Sequence, residues 1–384
     1  MLLLILYLAF IGLGLPSALL GAAWPTMQTA LDLPVQYAGI VAMVISGGTI
    51  FSSLMADKFT RVLRPAYVVT LGVLFMVVGL FGFSAAQAFW LMCLWAVPLG
   101  LGSGAVDAVI NNYIAVNYSS RHMNWLHCFW GLGAMLGPYV MGFYLVRGMN
   151  WGYGFAAVGA ALVVVLAAVV MTMKLWKKGE QKKTSKATPI GSVLKIKGVK
   201  FVMLAFFAYC AMEGTAMLWA ATYLVYNRGV SANSAALFAS FFFIGITAGR
   251  IAAGFVSNKL GDRRMVTLGL AVTFVGIVAV FVPFAPGWAA LAGLVIIGLG
   301  NAPIFPALMH ATPAHFGEEN SQALVGVQMA SAYTGATIVP PLFGVLAGAL
   351  GAGFFAPFLG AFFALTAVMF VALIKSTGSN YERT

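Results

Sequence analysis

Long apolar runs, separated by short polar breaks, divide the chain from one end to the other. They fall at 2–24, 34–56, 64–84, 88–117, 123–146, 151–174, 199–226, 233–257, 264–284, 287–311, 321–348 and 351–374. Each is about 20 to 30 residues long, the length a helix needs to cross a hydrocarbon core of roughly 30 Å. The stretch from Gly154 to Met173 carries no charge. Such runs differ from the alternating segments of about ten residues that a membrane β-barrel requires. The pattern therefore predicts an all-α membrane protein of twelve transmembrane helices. An even count puts both ends on one side. No basic residue precedes the first run, which argues for a retained helix over a cleaved signal peptide, although Ala22-Ala23 has the small side chains of a cleavage site.

Composition excludes a soluble globule. Of 384 residues 62% are hydrophobic and 8% charged, with a mean hydropathy of +0.97, too few polar side chains to cover a water-facing surface. The net charge of +12 would suit a nucleic-acid partner only if it formed a patch on a folded surface. Instead, 18 of the 21 basic residues follow even-numbered helices or lie in the tail: Lys58, Arg61, Arg64, Arg121, nine lysines from Lys174 to Lys200, Lys259, Arg263, Arg264, Lys375 and Arg383. Arg147 and Arg228 lie on the opposite side and Arg250 inside a helix. This asymmetry predicts cytoplasmic termini, the lipid bilayer as the charge's partner, and no nucleic acid. A bacterial inner membrane is the expected compartment. Cys93, Cys128 and Cys210 all sit in apolar runs, so neither a disulfide nor a metal site is expected. The basic stretch 176–198 is expected to link a bundle at 1–175 to a second at 199–384, as a plain cytoplasmic connector or a lipid-binding, regulatory one.

The two parts echo one another. A shift of 201 residues lays Gly48, Asp57 and Lys58 on Gly249, Asn258 and Lys259, and a shift of 198 lays Gly100-Leu101-Gly102 on Gly298-Leu299-Gly300. Two pseudo-symmetric six-helix bundles of this kind resemble the major facilitator superfamily, in which the solute site lies near the midplane. The run Gly254 to Arg264, with Asn258, Gly261, Asp262 and Arg263, looks like the superfamily's cytoplasmic signature between helices eight and nine. Ser53 to Arg61, with Asp57 and Arg61, resembles a degraded first-half copy without its glycines. The resemblance implies gating by Asp57, Arg61, Asn258, Asp262 and Arg263; topogenic charge alone is the plainer alternative.

Further stretches resemble the fucose, glucose and galactose permease group and its sodium-glucose relatives: Gly100 to Asn112 in helix four, Asn124 to Pro138 in helix five, Glu213, Trp219 and Tyr223 in helix seven, Gly249-Arg250 in helix eight, Pro303 to Pro306 in helix ten, and Gly326 to Gln328 with Pro340-Pro341 in helix eleven. The resemblance implies that Asp107 and Asn111 serve substrate or cation. His127 and Trp130 stand where sugar permeases of the group often carry glutamine or asparagine. The first helix also lacks an acid that some proton-coupled members have.

An ionisable side chain at a helix centre costs about 2.5 to 3.5 kcal/mol on insertion scales, so each calls for a reason. Asp107 and Asn111 share a helix face with Gly100 and Gly104, forming a polar notch. There, burial disfavours the charged carboxylate and would let Asp107 exchange a proton, with sodium coordination as the rival. Glu213 lies roughly 20 Å into helix seven, the second acid inside the membrane, so Asp107 and Glu213 are the cation-coupling candidates, one for the ion and one for the solute, with an ion pair to Arg250 as the structural alternative. Arg250, about 12 Å above Asn258, is within reach of snorkelling toward the cytoplasm, and a gating or structural role is expected of it ahead of solute contact. Asn124, His127 and Trp130 on one side of helix five, with Trp219 and Tyr223, would offer a sugar aromatic faces and hydrogen bonds. Asn301 and Gln328 complete the solute candidates. His122 with His127, and His310 with His315, are five apart, turned about 140° from each other on a helix, so neither pair forms a zinc clamp. The glycines at 100, 102 and 104 follow no strand, so no dinucleotide loop is indicated, and no enzyme is expected. The expected function is a monomeric secondary transporter of a small polar molecule, a sugar or polyol, by symport with H+ or Na+ and with no other cofactor. The alternatives are a proton-coupled exporter of amphipathic compounds, favoured by Gly133-x3-Gly137-Pro138, and a lipid flippase or non-transporting sensor.

Overall fold

The computed structural model describes residues 1–33, 37–176, 190–230, 232–282 and 287–378. Most of the expected linker, 177–189, lies outside the described residues. The chain is helical along the elements α1 (Leu2–Gly14), α2 (Leu19–Ala30), α3 (Tyr37–Val62), α4 (Pro65–Ala85), α5 (Phe89–Asn117), α6 (Ser120–Leu145), α7 (Gly152–Thr172), α8 (Ile190–Val193), α9 (Val199–Arg228), α10 (Ala232–Phe281), α11 (Gly287–Asn301), α12 (Ile304–His310), α13 (Thr312–Phe316), α14 (Glu318–Leu350) and α15 (Phe355–Thr377). Among the described residues there are 11 uninterrupted stretches long and apolar enough to cross a membrane. One of them, Ile244–Phe281, contains two spans, because α10 breaks at Gly261 with φ 75 and ψ 161. That backbone conformation is open essentially only to glycine. Twelve spans result, consistent with the count read from the hydrophobic pattern.

Two spans expected as single helices are broken. Pro16 separates α1 from α2, and the Ala302-Pro303 step separates α11 from α12. Proline has no N–H to donate to the preceding turn and its ring crowds the carbonyl there. Pro98, Pro138, Pro340 and Pro341, in contrast, lie inside continuous helices.

By its contacts the chain divides into two units. One comprises Met1–Tyr113 and Leu126–Pro189, the other Ile114–Trp125 and Ile190–Thr384. The segment 114–125, which the sequence division assigned to the first bundle, thus groups with the second unit. In the first unit Phe83 stacks on Phe155 at 5.2 Å in the core. Leu71, Leu74, Phe75, Val78 and Phe81 form an exposed stripe along α4. That stripe is where lipid is required, since water would not tolerate it.

The helices cross closely where the sequence is small. A β-carbon at Gly104 would overlap the Thr49 carbonyl of α3, and one at Gly133 the Ile11 carbonyl of α1. Hydroxyls reinforce the α3–α5 crossing: Thr49 Oγ1 donates to Gly100 O at 3.1 Å and Ser53 Oγ to Gly104 O at 3.2 Å. The second unit repeats both crossings, with Gly298 against the Phe242 carbonyl of α10 and Gly335 against the Phe207 carbonyl of α9. Small residues at contacts let backbones approach in a medium that supplies no hydrophobic drive between helices.

Candidate functional site

In the first unit α5 presents Asp107 and Asn111 one turn apart, and α6 brings His127 to them. The Asn111 amide nitrogen donates to Asp107 Oδ1 at 2.7 Å and to the Asp107 carbonyl at 3.0 Å. Asn111 Oδ1 meets His127 Nε2 at 3.1 Å. With its NH2 turned to the carboxylate, the amide can only accept from the imidazole, so His127 carries its hydrogen on Nε2. Asp107, Asn111 and His127 are buried, and the edge of Phe10 closes the imidazole at 5.6 Å between ring centres. Asp107 lies ten residues before the end of α5, about 15 Å into the helix. A carboxylate, an amide and an imidazole thus form one hydrogen-bonded row at mid-membrane depth. Trp130, also on α6, is half-buried, and its carbonyl fills the space that a side chain at Gly14 would need.

The second unit holds the other intramembrane acid. Glu213 Oε1 on α9 stands 3.9 Å from Arg250 Nη2 on α10, with side-chain exposures of 15% and 6%. Though within reach of snorkelling by its depth, Arg250 turns its guanidinium toward a carboxylate of its own unit. One turn before Glu213, buried Tyr209 donates its hydroxyl to the Asn301 carbonyl at 3.0 Å, and Thr273 Oγ1 donates to Asn301 Oδ1 at 3.0 Å. The Asn301 amide nitrogen is buried without a hydrogen-bond partner.

Several solute candidates make hydrogen bonds within the fold, although Asn124 Oδ1 and Gln328 Nε2 are buried without a partner. Tyr223 stacks on Phe355 at 5.0 Å, donates to the Val280 carbonyl at 2.7 Å and accepts from Arg228 Nε at 2.9 Å. Arg228 also donates to Val282 O at 2.8 Å, and so covers carbonyls at the end of α10 that the helix cannot satisfy itself. Trp219 Nε1 donates to the Pro340 carbonyl at 2.8 Å. Gln328 is buried and accepts from Thr312 at 3.0 Å. Asn124, in the second unit, donates to Ser120 O at 3.0 Å on its own helix. The structure brings Asn111 and His127 together with Asp107 in the first unit.

At the basic-loop end, Asp57 pairs with Arg61 at 2.9 Å within α3. Asn258 Oδ1 accepts from the Arg121 N–H at 3.1 Å. Asp262 accepts from Ser120 Oγ at 2.6 Å and faces His310 Nδ1 at 2.6 Å, while His310 Nε2 meets the Tyr118 carbonyl at 3.0 Å. Arg263 is exposed.

The profile of the Major Facilitator Superfamily matches residues 6–211 and 201–382, nearly the whole chain. The chain belongs to the major facilitator superfamily. It is a multi-pass membrane protein of that transporter family, and its resemblances within the superfamily are broad. It is 24% identical over 351 residues to the membrane protein MosC of Rhizobium meliloti, covering 88% of this chain and 82% of MosC. It is 22% identical over 312 residues to the glucose/mannose transporter GlcP of Bacillus subtilis (strain 168), covering 78% and 77%. The E. coli fucose:proton symporter FucP, in its outward conformation, superposes with a TM-score of 0.76 at 15% identity, over 96% of this chain and 98% of FucP, a likeness of fold.

Sequence reasoning missed Tyr209, Thr273, Ser120 and His310. The 201-residue shift that aligns Asp57 with Asn258 also lays Arg61 on Asp262, a reversal of sign in a superfamily signature. An acid where the first half has a base must find a donor elsewhere, and His310, dismissed as a zinc ligand, supplies one.

Proposed function

We propose that this chain is a secondary active transporter that carries a small polar solute, a sugar or polyol, in symport with a proton taken up and released by Asp107. The observation that carries this reading is the buried row of Asp107, Asn111 and His127. A buried carboxylate held by an amide donor is the group in this row that can exchange a proton as access alternates. Sodium is the poorer fit. A sodium ion needs a shell of several oxygens, and here the amide turns its NH2 to the carboxylate while its single oxygen is engaged by His127. Glu213 faces Arg250, so its charge is balanced within its own unit and it is better suited to hold Arg250 and solute hydroxyls than to carry the coupling ion. That GlcP is a glucose/mannose transporter and FucP a fucose:proton symporter supports the sugar class. We place both termini in the cytoplasm of a bacterial inner membrane, on the distribution of Lys and Arg, and take a single chain as the working unit.

Uptake of labelled glucose, mannose and fucose into proteoliposomes tests this. An inward proton gradient is expected to drive accumulation and an equal sodium gradient is not. Asp107→Asn is expected to abolish accumulation while keeping solute exchange at equilibrium, which shows that the variant is folded. Accumulation driven by sodium, or unchanged proton-driven accumulation in Asp107→Asn, would overturn the assignment.

A further inference from the structure

His310, at the end of α12, is placed between two acceptors. Nδ1 is 2.6 Å from Asp262 Oδ2, and Nε2 is 3.0 Å from the carbonyl of Tyr118. A backbone carbonyl only accepts, so Nε2 must carry a hydrogen, and the neutral imidazole then has a bare lone pair at Nδ1. A lone pair facing an ionised carboxylate at 2.6 Å would repel it. The contact therefore requires one further proton, held between imidazole and carboxylate. Asp262 is 1% exposed, and its other oxygen accepts from Ser120 Oγ at 2.6 Å. Asn258, one turn earlier on α10, takes the Arg121 N–H.

We infer that His310 and Asp262 form a proton-binding site, separate from Asp107, that clasps the turn between α5 and α6 at residues 118–121 to the ends of α10 and α12. The proton is the ligand, and His310 bonds both acceptors at once only with it bound, whereas Ser120–Asp262 and Arg121–Asn258 do not depend on it. Deprotonation leaves one N–H for two acceptors, so either Asp262 or the Tyr118 carbonyl then faces a lone pair. The released turn need not hold that proton, so mass action favours release as pH rises, by up to about tenfold per pH unit for one proton. The ionisable groups around the clasp are Asp262 on α10 and Tyr118 on the turn. His122, at 5.6 Å from the Tyr118 ring, and Arg121 are on α6, and His315 is on α13. Lys259, Arg263 and Arg264 extend from α10 beside the Gly261 break. Only His310 faces both acceptors. On the expected topology this end of the molecule meets the cytoplasm, so the site would report cytosolic pH.

Hydrogen–deuterium exchange of residues 118–121 in the full chain in lipid nanodiscs, expressed as protection factors between pH 5.5 and 9, tests the inference. Wild-type protection is expected to fall by about tenfold per pH unit above the midpoint. His310→Arg keeps a charge and two donors, so its protection should be high at every pH. His310→Gln offers one donor group and no charge, and should show lowered protection that does not change with pH. Flat wild-type protection, or a wild-type pH profile retained in His310→Gln, would overturn the proposal, and the wild-type series decides even if His310→Gln does not fold.

Discussion

Removing one partner of the Glu213–Arg250 pair is expected to cost far more than removing both. At 3.9 Å the pair is beyond hydrogen-bonding distance, so its attraction is nearly all Coulombic. With an effective dielectric of 20 the attraction is about 4 kcal/mol. Both side chains are largely shielded, at 15% and 6% exposure, so solvent screening trims this only in part. Glu213→Gln removes the carboxylate that faces the guanidinium and Arg250→Met the guanidinium that faces the carboxylate, and each should destabilise by about 3 kcal/mol or more. The double variant leaves no charge behind and should recover most of the loss. A coupling energy of about 2 to 4 kcal/mol is therefore expected from the double-mutant cycle. Unfolding from dodecylmaltoside micelles by titration with sodium dodecyl sulfate, followed by fluorescence of the chain's nine tryptophans, measures all four corners of the cycle. Losses that simply add, with a coupling below about 0.5 kcal/mol, would mean that the charges do not feel one another. Glu213 would then be restored as a candidate for the coupling ion.

Two further outcomes follow from packing and from burial. Gly104→Ala forces a methyl into the Thr49 carbonyl and should cost about 2 kcal/mol or more, whereas Gly142→Ala on α6 meets nothing within 4 Å and should gain up to about 1 kcal/mol from helix propensity. Equal effects in the same unfolding assay would refute the close α3–α5 crossing. His315, outside the spans on α13, is held down at about 4 from its ordinary 6.5, chiefly by burial, with Nδ1 at 2.9 Å from Thr377 Oγ1. The imidazole is neutral when folded and the unfolded chain takes up the proton first, so this stability is intact above pH 6.5 and is lost as pH falls toward 4. The limit is about 3 kcal/mol. The stability difference between wild type and His315→Gln should shrink over that window, and a difference independent of pH between 7.5 and 5 would refute the assignment.

What the chain's letters disclosed depended on which medium each position had to satisfy. Lipid admits only backbones that bond within themselves, so every span announced itself by length and apolarity. Whether a proline breaks a helix was not visible, since Pro16 and Pro303 interrupt theirs while Pro138 and Pro340 do not. Asp107 and Asn111 were legible as one face because they are one turn apart, whereas His127 was read only among the solute candidates of helix five, and its bond to Asn111 was not anticipated. Axial rise gave the depth of Arg250 correctly, but depth says nothing about rotation about the helix axis, and rotation decides between snorkelling and pairing. Tyr223 and Trp219 show a different limit. Their donors are satisfied by the carbonyls of Val280 and Pro340, 57 and 121 residues away, and a carbonyl leaves no mark in a sequence. The same blindness hid the clasp, where His310 reaches the Tyr118 carbonyl across 192 residues. Side-chain pairs in a membrane protein can be anticipated from the scarcity of charge, because each buried acid must find one of few partners. Bonds to backbone carbonyls cannot, because every residue offers one. An aromatic or histidine donor in such a chain is therefore best assigned to solute only after its nearest carbonyl has been located.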